Sequence, residues 1–429
     1  MEREEWKVER EMIWKSMNSI IQFCRKSILL SLFSFLFPLT LQAQTSDSLI
    51  MKKMSEYGVR FSKGNDVKLL MSGKEKFADM FEVIRQAKSS IHLEYFNFRN
   101  DSIAGLLFDI LREKRKEGVE VRAAFDGFGN DSNNQPLKKS HLEKLHADSI
   151  DIYEFDPIRF PWVNHIWPRD HRKIVVIDGK IAYTGGMNVA DYYLVGTEQV
   201  GEWRDMHCRI EGPAVNELQS IFVRFWKKLT KEELTDGKYF RGTQAGDKTV
   251  GIATREPNVT NKIMRQFYIN ALDMAQDSVK IVNPYFVPTQ SVMKALKRCV
   301  ERGVKVDIIM SSKYDVPLVP DVVYYNLRKL MKRGAHIWRY RPGFHHSKIM
   351  MVDGRFCTVG STNLDARSLR FDYEINALII DKDVTRQLDE KFIEDTRQCD
   401  YLSEEEYQKS RTTWKRFRGW LGHLLTPWL

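Results

Sequence analysis

Two stretches of the chain repeat each other, and no other feature constrains the fold as much. Residues 89–98, SSIHLEYFNF, resemble residues 277–288, DSVKIVNPYFVP. Each reads as a short apolar strand that carries a Tyr-Phe pair. Each is followed by a helical stretch, LLFDILREKRKEGVEV or VMKALKRCVERGVKVDIIM, that stops at Gly-Val. Gly118 and Gly303 stand in the C-terminal stop position. A second strand then follows. Strand, helix, strand is a βαβ unit, so an α/β fold of two similar halves with parallel or mixed sheets is expected. A chain of 429 residues has room for both.

The repeat extends to polar residues. DHRKIVVIDGKIAYTGGMN (170–188) matches HHSKIMMVDGRFCTVGSTN (345–363). Both run His, Lys at +2, Asp at +7, Gly-Gly or Gly-Ser at +14 and +15, and Asn at +17. In a strand, positions i and i+2 share a face, so His171 projects with Lys173, and His346 with Lys348. Asp178 and Asp353 belong to the motif, but parity turns them to the other face, at the strand end, as members of its frame. The Gly pair makes a tight turn, which returns Asn188 and Asn363 toward the His-Lys face. One His-x-Lys before an apolar strand has no diagnostic value, because solvated strand ends produce it often. Two copies with the same spacing point to a pseudo-twofold enzyme with one composite site.

Two imidazoles, two ammonium groups and two carboxamides around one point suit a phosphodiester. One His attacks phosphorus while the other protonates the leaving oxygen. Lys173, Lys348, Asn188, Asn363 and the hydroxyl of Ser361 then bind the non-bridging oxygens as charge develops. Gly186 stands where the second copy has Ser361, so only the second half offers that hydroxyl. The lysines supply the positive charge, so neither a metal nor another cofactor is called for. The acid His has to hold its proton at neutral pH and needs a carboxylate partner. The second half offers Glu374 in FDYEINALII and the first half Asp205 in EWRDMHCRIEGPAV, each fixing the tautomer of its imidazole. His92, His141, His146, His165, His207, His336, His345 and His423 read as ordinary, and His345 has the parity of a residue that faces away. None of the five cysteines, Cys24, Cys208, Cys299, Cys357 and Cys399, forms a CxxC pair. They read as free thiols, buried in the folded part, rather than as a zinc site.

Taken together, His-x-Lys-x4-Asp-x6-Gly-Ser/Gly-x-Asn, twice, resembles the HKD motif of the phospholipase D superfamily, with a likeness running from about Phe81 to Asp383. Within it, GVEVRAAFDGFG, WRDMHCRIEGPAVNELQSIFVRFW, VNPYFVP, GSTNLDARSLRFDYEINALI and the tail TTWKRFRGWLGHLLTPWL resemble bacterial cardiolipin synthases. The resemblance implies two pseudo-symmetric βαβ-rich halves with mixed sheets packed around one shared active site, and a phosphatidyl-histidine intermediate. By that likeness His171 is the nucleophile and His346 the acid, an assignment the residues alone leave open. It divides the chain into a charged extension with a signal or anchor (1–44), a first half (45–243), a second half (244–400) and a basic amphipathic tail (401–429).

Composition bears on the partner. Apolar content of 43% with 10 Trp and 24 Phe fits a folded globular chain. A formal charge of +10 favours an anionic partner, whether nucleic acid, anionic lipid or phosphorylated substrate. Three features favour lipid. In CRKSILLSLFSFLFPLTLQAQTSD, Arg25 and Lys26 precede an apolar run and a small-residue exit, the pattern of a secretory signal; extended back to Ile20, the run could instead stay as a single anchor. Met17 is a candidate start. Either form sends the enzyme to the membrane, at its extracytoplasmic face, whereas many of these synthases begin with two spanning helices. Second, FPWVNHIWPRD places Phe160, Trp162, Ile166 and Trp167 just before His171, a set suited to the bilayer interface, or to a packed loop. Third, Trp414, Phe417, Leu421, Leu424 and Leu425 recur at helical spacing with Lys415, Arg416 and Arg418 off the stripe. That helix could lie on anionic lipid or dock on the core. The expected reaction condenses two phosphatidylglycerol molecules to cardiolipin and glycerol, with anionic phospholipid and a membrane surface as partners and no nucleic acid. The rivals are a hydrolytic phospholipase D releasing phosphatidic acid, a nuclease of the same superfamily and a lipid-binding scaffold.

Overall fold

The computed structural model describes residues 47–158, 167–260 and 262–424. The expectations for residues 1–44, for Phe160, Trp162 and Ile166, and for Leu425 lie outside the described residues. From Lys53 onward the chain forms one compact unit.

In the first half, β1 (Arg60–Leu70) leads to helix α1 (Gly73–Gln86). A βαβ unit of β2 (Ser90–Tyr95), α2 (Ser102–Lys116) and β3 (Glu120–Asp126) follows, then α3 (Lys139–Ala147) and β4 (Asp151–Phe155). A hairpin of β5 (Ile174–Ile177) and β6 (Ile181–Gly185) precedes β7 (Glu202–Arg204), β8 (His207–Glu211) and α4 (Ala214–Thr230). The second half repeats this order with β9 (Lys248–Arg255), α5 (Ile263–Met274), β10 (Ser278–Val282), α6 (Gln290–Glu301), β11 (Lys305–Ser311), α7 (Val319–Met331) and β12 (His336–Tyr340). It continues through β13 (Gly343–His345), β14 (Ile349–Val352), β15 (Phe356–Gly360), β16 (Glu374–Ile380), α8 (Lys382–Thr396) and β17 (Cys399–Tyr401); helix α9 (Thr413–Leu424) ends it.

Local chemistry explains the helix ends. The Asp101 carboxylate caps α2 by accepting the Ala104 N–H at 3.3 Å. Gly118 after α2 has φ +87° and Gly303 after α6 has φ +86°, the left-handed stop that the Gly-Val repeat announces. The strands flanking each helix pair in parallel, β2 with β3 and β10 with β11, while β5 and β14 join them antiparallel.

The sheets of the two halves run on as one. Among the described residues, 15 strands lie in the order β17-β12-β11-β10-β14-β15-β16-β9-β1-β8-β6-β5-β2-β3-β4. At the seam β1 and β9 pair antiparallel, Arg60 opposite Ile252 and Phe61 opposite Gly251. Outward from the seam, β8, β6, β5, β2, β3 and β4 answer β16, β15, β14, β10, β11 and β12.

The apolar run inside each motif follows from this architecture. Ile174 and Val176 point into a core shared by both halves, while Val175 and Ile177 point into a core under α1 and α2. Ile349 and Met351 join the shared core from the other side. All eight residues of β5 and β14 are at most 2% exposed. A strand covered on both faces reads as continuously apolar, and each such side chain contributes about 1.5–3 kcal/mol by burial. Cys208, Cys299 and Cys357 are buried free thiols.

Helix α9 docks on the core and leaves its apolar stripe outward. Its small-residue face docks on α7: a Cβ at Gly419 would stand 2.4 Å from the Asp321 carbonyl oxygen, and one at Gly422 2.5 Å from Val322. Arg418 Nε donates to Asp321 at 2.6 Å. The apolar face stays in solvent, with Trp414 63%, Phe417 46% and Leu421 46% exposed. Among the described residues, no helix is long and apolar enough to cross a membrane.

Candidate active site

The His-x-Lys segments lie immediately before β5 and β14 rather than within them. Each is held by the opposite half. The His171 N–H donates to the Tyr373 carbonyl at 3.0 Å, and the Tyr373 N–H donates to the Arg169 carbonyl at 2.8 Å. On the other side β13 pairs in parallel with β7, His345 opposite Arg204, and the His346 N–H donates to the Arg204 carbonyl at 2.6 Å. The next residues along the supporting segments are Glu374 and Asp205. Backbone pairing therefore delivers each carboxylate to the imidazole of the other half.

His171 Nδ1 stands 3.0 Å from Glu374 Oε1, and His346 Nδ1 stands 2.7 Å from Asp205 Oδ2. Both carboxylates are buried, and an ionised carboxylate only accepts. Nδ1 thus carries the proton, and Nε2 is the free ring nitrogen of each histidine on the cavity that both line. Lys173 and Lys348 each donate to the carbonyl of their own motif histidine at 2.5 Å. Asn188 and Asn363 also line this cavity, each with a buried Oδ1 that has no hydrogen-bond partner.

One assignment from the sequence changes. The Ser361 hydroxyl does not face the phosphate position: it donates to Glu374 Oε2 and accepts the Ile375 N–H at 3.0 Å, so it sits behind Glu374 as a support. Gly186, its counterpart, makes room instead, since a Cβ there would stand 2.3 Å from Asp205 Oδ1. Asp178 and Asp353, expected on the other face as members of the frame, stand at the far ends of β5 and β14 at φ +53° and +52°. Asp178 accepts the N–H groups of Lys88, Ser89 and Ser90 at 2.6–3.0 Å. Asp353 accepts those of Gln276, Asp277 and Ser278 at 2.8–3.0 Å. They tie the motif to the start of β2 and β10 and touch nothing in the cavity. His345 faces away, bonded to Asp395 at 3.1 Å.

Burial and like charge set the protonation states. Burial, then Lys173 and Lys348, hold His171 well below the usual imidazole value. Burial, then Lys348, lowers His346 to about 4. Burial pushes Glu374 up to about 7 and lowers Lys173 to about 7 and Lys348 to about 8. The expectation that a carboxylate partner keeps the acid imidazole charged is therefore not met: burial outweighs Asp205, and both imidazoles are neutral at pH 7.

Several supports escaped the sequence reading. Arg169 is buried against Asp126, Nε to Oδ1 at 3.0 Å, and Asp126 also accepts the Asp170 N–H at 2.7 Å. Arg172 lies between Glu94 at 2.6 Å and Asp170 at 3.0 Å. Lys76, fully buried, donates to the Asn188 carbonyl at 3.0 Å. Phe344, His345 and Ser347 occupy the matching places in the second copy, so a search for what repeats passes over Arg169, Asp170 and Arg172.

The cavity over the histidines has a volume of about 1080 Å³. Phe96 stands edge-on to His171 at 5.1 Å between ring centroids, and Trp203 packs on His346 at 5.5 Å. Val316 and Leu318 of the β11–α7 loop and Trp414, Phe417 and Leu421 of α9 line it as well. Trp167 is 43% exposed, with its ring 6.0 Å from Phe371.

A doubled sheet carrying two buried His-carboxylate pairs across a pseudo-twofold axis defines a protein of the phospholipase D type. The family described as "Cardiolipin synthase, PLD-like domain" matches residues 80–226 and 268–396, and the chain belongs to it. The chain is 36% identical over 369 residues to cardiolipin synthase 2 of Staphylococcus epidermidis, an alignment spanning 85% of this chain and 74% of that one. It is 35% identical over 368 residues to cardiolipin synthase of Staphylococcus aureus strain Mu50, across 85% and 73%. Among solved structures, the phosphatidylserine synthase of Haemophilus influenzae Rd KW20 superposes with a TM-score of 0.68 over 89% of this chain and 100% of that one; at 16% identity this is a likeness of fold.

Proposed function

We propose that this protein is a phosphatidyltransferase that condenses two phosphatidylglycerol molecules to cardiolipin and glycerol. The observation that carries the reading is the pair of imidazoles, each aligned by a buried carboxylate of the opposite half, facing one cavity with an apolar rim. The curated relatives named as cardiolipin synthases support the substrate class.

The phosphate of the first lipid lies between the histidines. Lys173, Lys348, Asn188 and Asn363 hold its oxygens. His171 Nε2 attacks phosphorus, the P–O bond to the headgroup glycerol breaks, and His346 Nε2 gives that oxygen its proton. His346 takes that proton from solvent as the substrate binds: the anionic phosphodiester offsets the Lys348 charge that, after burial, most depresses this imidazole. A headgroup hydroxyl of the second lipid then returns a proton to His346 and forms the new P–O bond as the P–N bond to His171 breaks. One phosphodiester replaces another, so no nucleotide is consumed.

The exposed apolar face of α9 and the exposed Trp167 support membrane association, with aromatic side chains at interface depth. The signal-like segment within residues 1–44 supports an extracytoplasmic location. Purified protein incubated with vesicles of labelled phosphatidylglycerol tests the activity. Cardiolipin and glycerol in equal amounts are expected. Phosphatidic acid alone would replace the transferase with a hydrolase, and DNA cleavage without lipid turnover would replace it with a nuclease.

A further inference from the structure

The cavity is nearly symmetric at the histidines and asymmetric around them. On the His346 side the β11–α7 loop carries Asp315 into the cavity wall together with Val316 and Leu318, which are 44% and 60% exposed. The Tyr285 hydroxyl donates to Asp315, lying 2.6 Å from Oδ1 and 2.7 Å from Oδ2, and the Tyr285 ring stands edge-on to His346 at 6.4 Å. Gln199 pins the loop by donating to the Asp315 carbonyl at 3.2 Å. Asn97 holds the place of Tyr285 in the first half, without a phenol.

A carboxylate in a cavity built for an anion is unfavourable unless it meets hydrogen-bond donors. The other acids on the wall each accept a backbone N–H. Asp365 accepts the Ser368 N–H at 2.7 Å, and Asp372 accepts the Arg169 N–H at 2.8 Å and Arg367 Nε at 2.7 Å. Among the described residues, Asp315 accepts from a single phenol, and a carboxylate can accept about four hydrogen bonds. Its charge favours hydroxyls and disfavours a second phosphate. It also acts on His346 and Lys348, where it favours the charged forms.

We propose that Asp315, held by Tyr285, is the specificity-determining residue for the alcohol, binding the hydroxyls of a glycerol headgroup beside His346 on leaving and on attack. The proposal rests on the transferase reading. It places the polyol, rather than the phosphate or the acyl chains, on the second-half wall, and it makes the enzyme select polyhydroxylated acceptors over simple alcohols.

Partition of one intermediate tests this without dependence on overall rate. Full-length protein acts on phosphatidylglycerol vesicles in equal concentrations of glycerol and ethanol, each carrying its own label, and the ratio of labelled phosphatidylglycerol to labelled phosphatidylethanol is read. The unmodified protein is expected to favour glycerol, and Asp315→Asn to lower the ratio about tenfold or more, as for a hydroxyl bonded to a charged group. Tyr285→Phe, which keeps the ring against His346, is expected to lower it less. A ratio within about twofold of the unmodified protein's in Asp315→Asn overturns the subsite alone. Transfer to neither alcohol by the unmodified protein overturns the transferase reading and the subsite with it.

Discussion

Glu374 and Asp205 are equivalent residues solved differently. The longer acid is backed by the Ser361 hydroxyl, and the shorter one fills the space that Gly186 leaves. Glu374→Gln and Asp205→Asn should each reduce phosphatidyl transfer by about 10²-fold or more, since the amide misdirects the imidazole tautomer. Ser361→Ala should cost less, about tenfold, because it removes one of the groups that hold Glu374. Gly186→Ala should match Asp205→Asn; initial rates on phosphatidylglycerol vesicles check all four, and unimpaired Gly186→Ala would remove Asp205 from the site. The buried charges of the two motif lysines oppose folding. Unfolded lysine titrates near 10.4, whereas Lys173 and Lys348 titrate at about 7 and 8. Between those values the unfolded chain binds more protons, so their contribution to stability rises with pH from about 7 toward 10. Lys173→Met and Lys348→Met should lose transfer yet melt a few °C higher at pH 6.5, read by calorimetry. The histidines, lysines and asparagines were legible because they repeat. The role of Ser361 was not, because a hydroxyl beside a phosphate and one behind a carboxylate leave the same letter in the sequence.

At the scale of elements, the packing of α9 does not require its exposed apolar stripe. Its glycines and Arg418 hold it to α7, so substituting the outward residues should spare the fold. Trp414→Ser with Phe417→Ser and Leu421→Ser should leave the melting temperature within about 2 °C and weaken binding to anionic vesicles by about tenfold or more, measured by flotation. Retained vesicle binding would assign the membrane contact elsewhere. The elements themselves were largely legible. Each βαβ unit announced itself through its apolar strand and its glycine stop, and the doubly covered β5 and β14 through an unbroken apolar run. The β1–β9 seam was not, because an edge pairing leaves no periodic trace in either strand, and two separate sheets read identically. The crossed pairing of histidines and carboxylates stayed hidden for the same reason: it arises from contacts of Tyr373 and Arg204 with the other half, which no local pattern encodes.

For the whole molecule, the two halves share one core, one sheet and one cavity. A single composite site predicts a burst of one glycerol per chain on rapid mixing with phosphatidylglycerol vesicles, against two if each half worked alone. It also predicts that fragments divided between residues 243 and 244 are inactive apart and regain transfer only together. The distances along the chain add a consequence for synthesis. The carboxylate that aligns His171 lies 203 residues further on, and the one that aligns His346 lies 141 residues back. A nascent chain whose first half has emerged and folded is thus chemically mute, as is any fragment that lacks Glu374 or Asp205. A phosphatidyltransferase built this way carries its safety catch in the order of its residues.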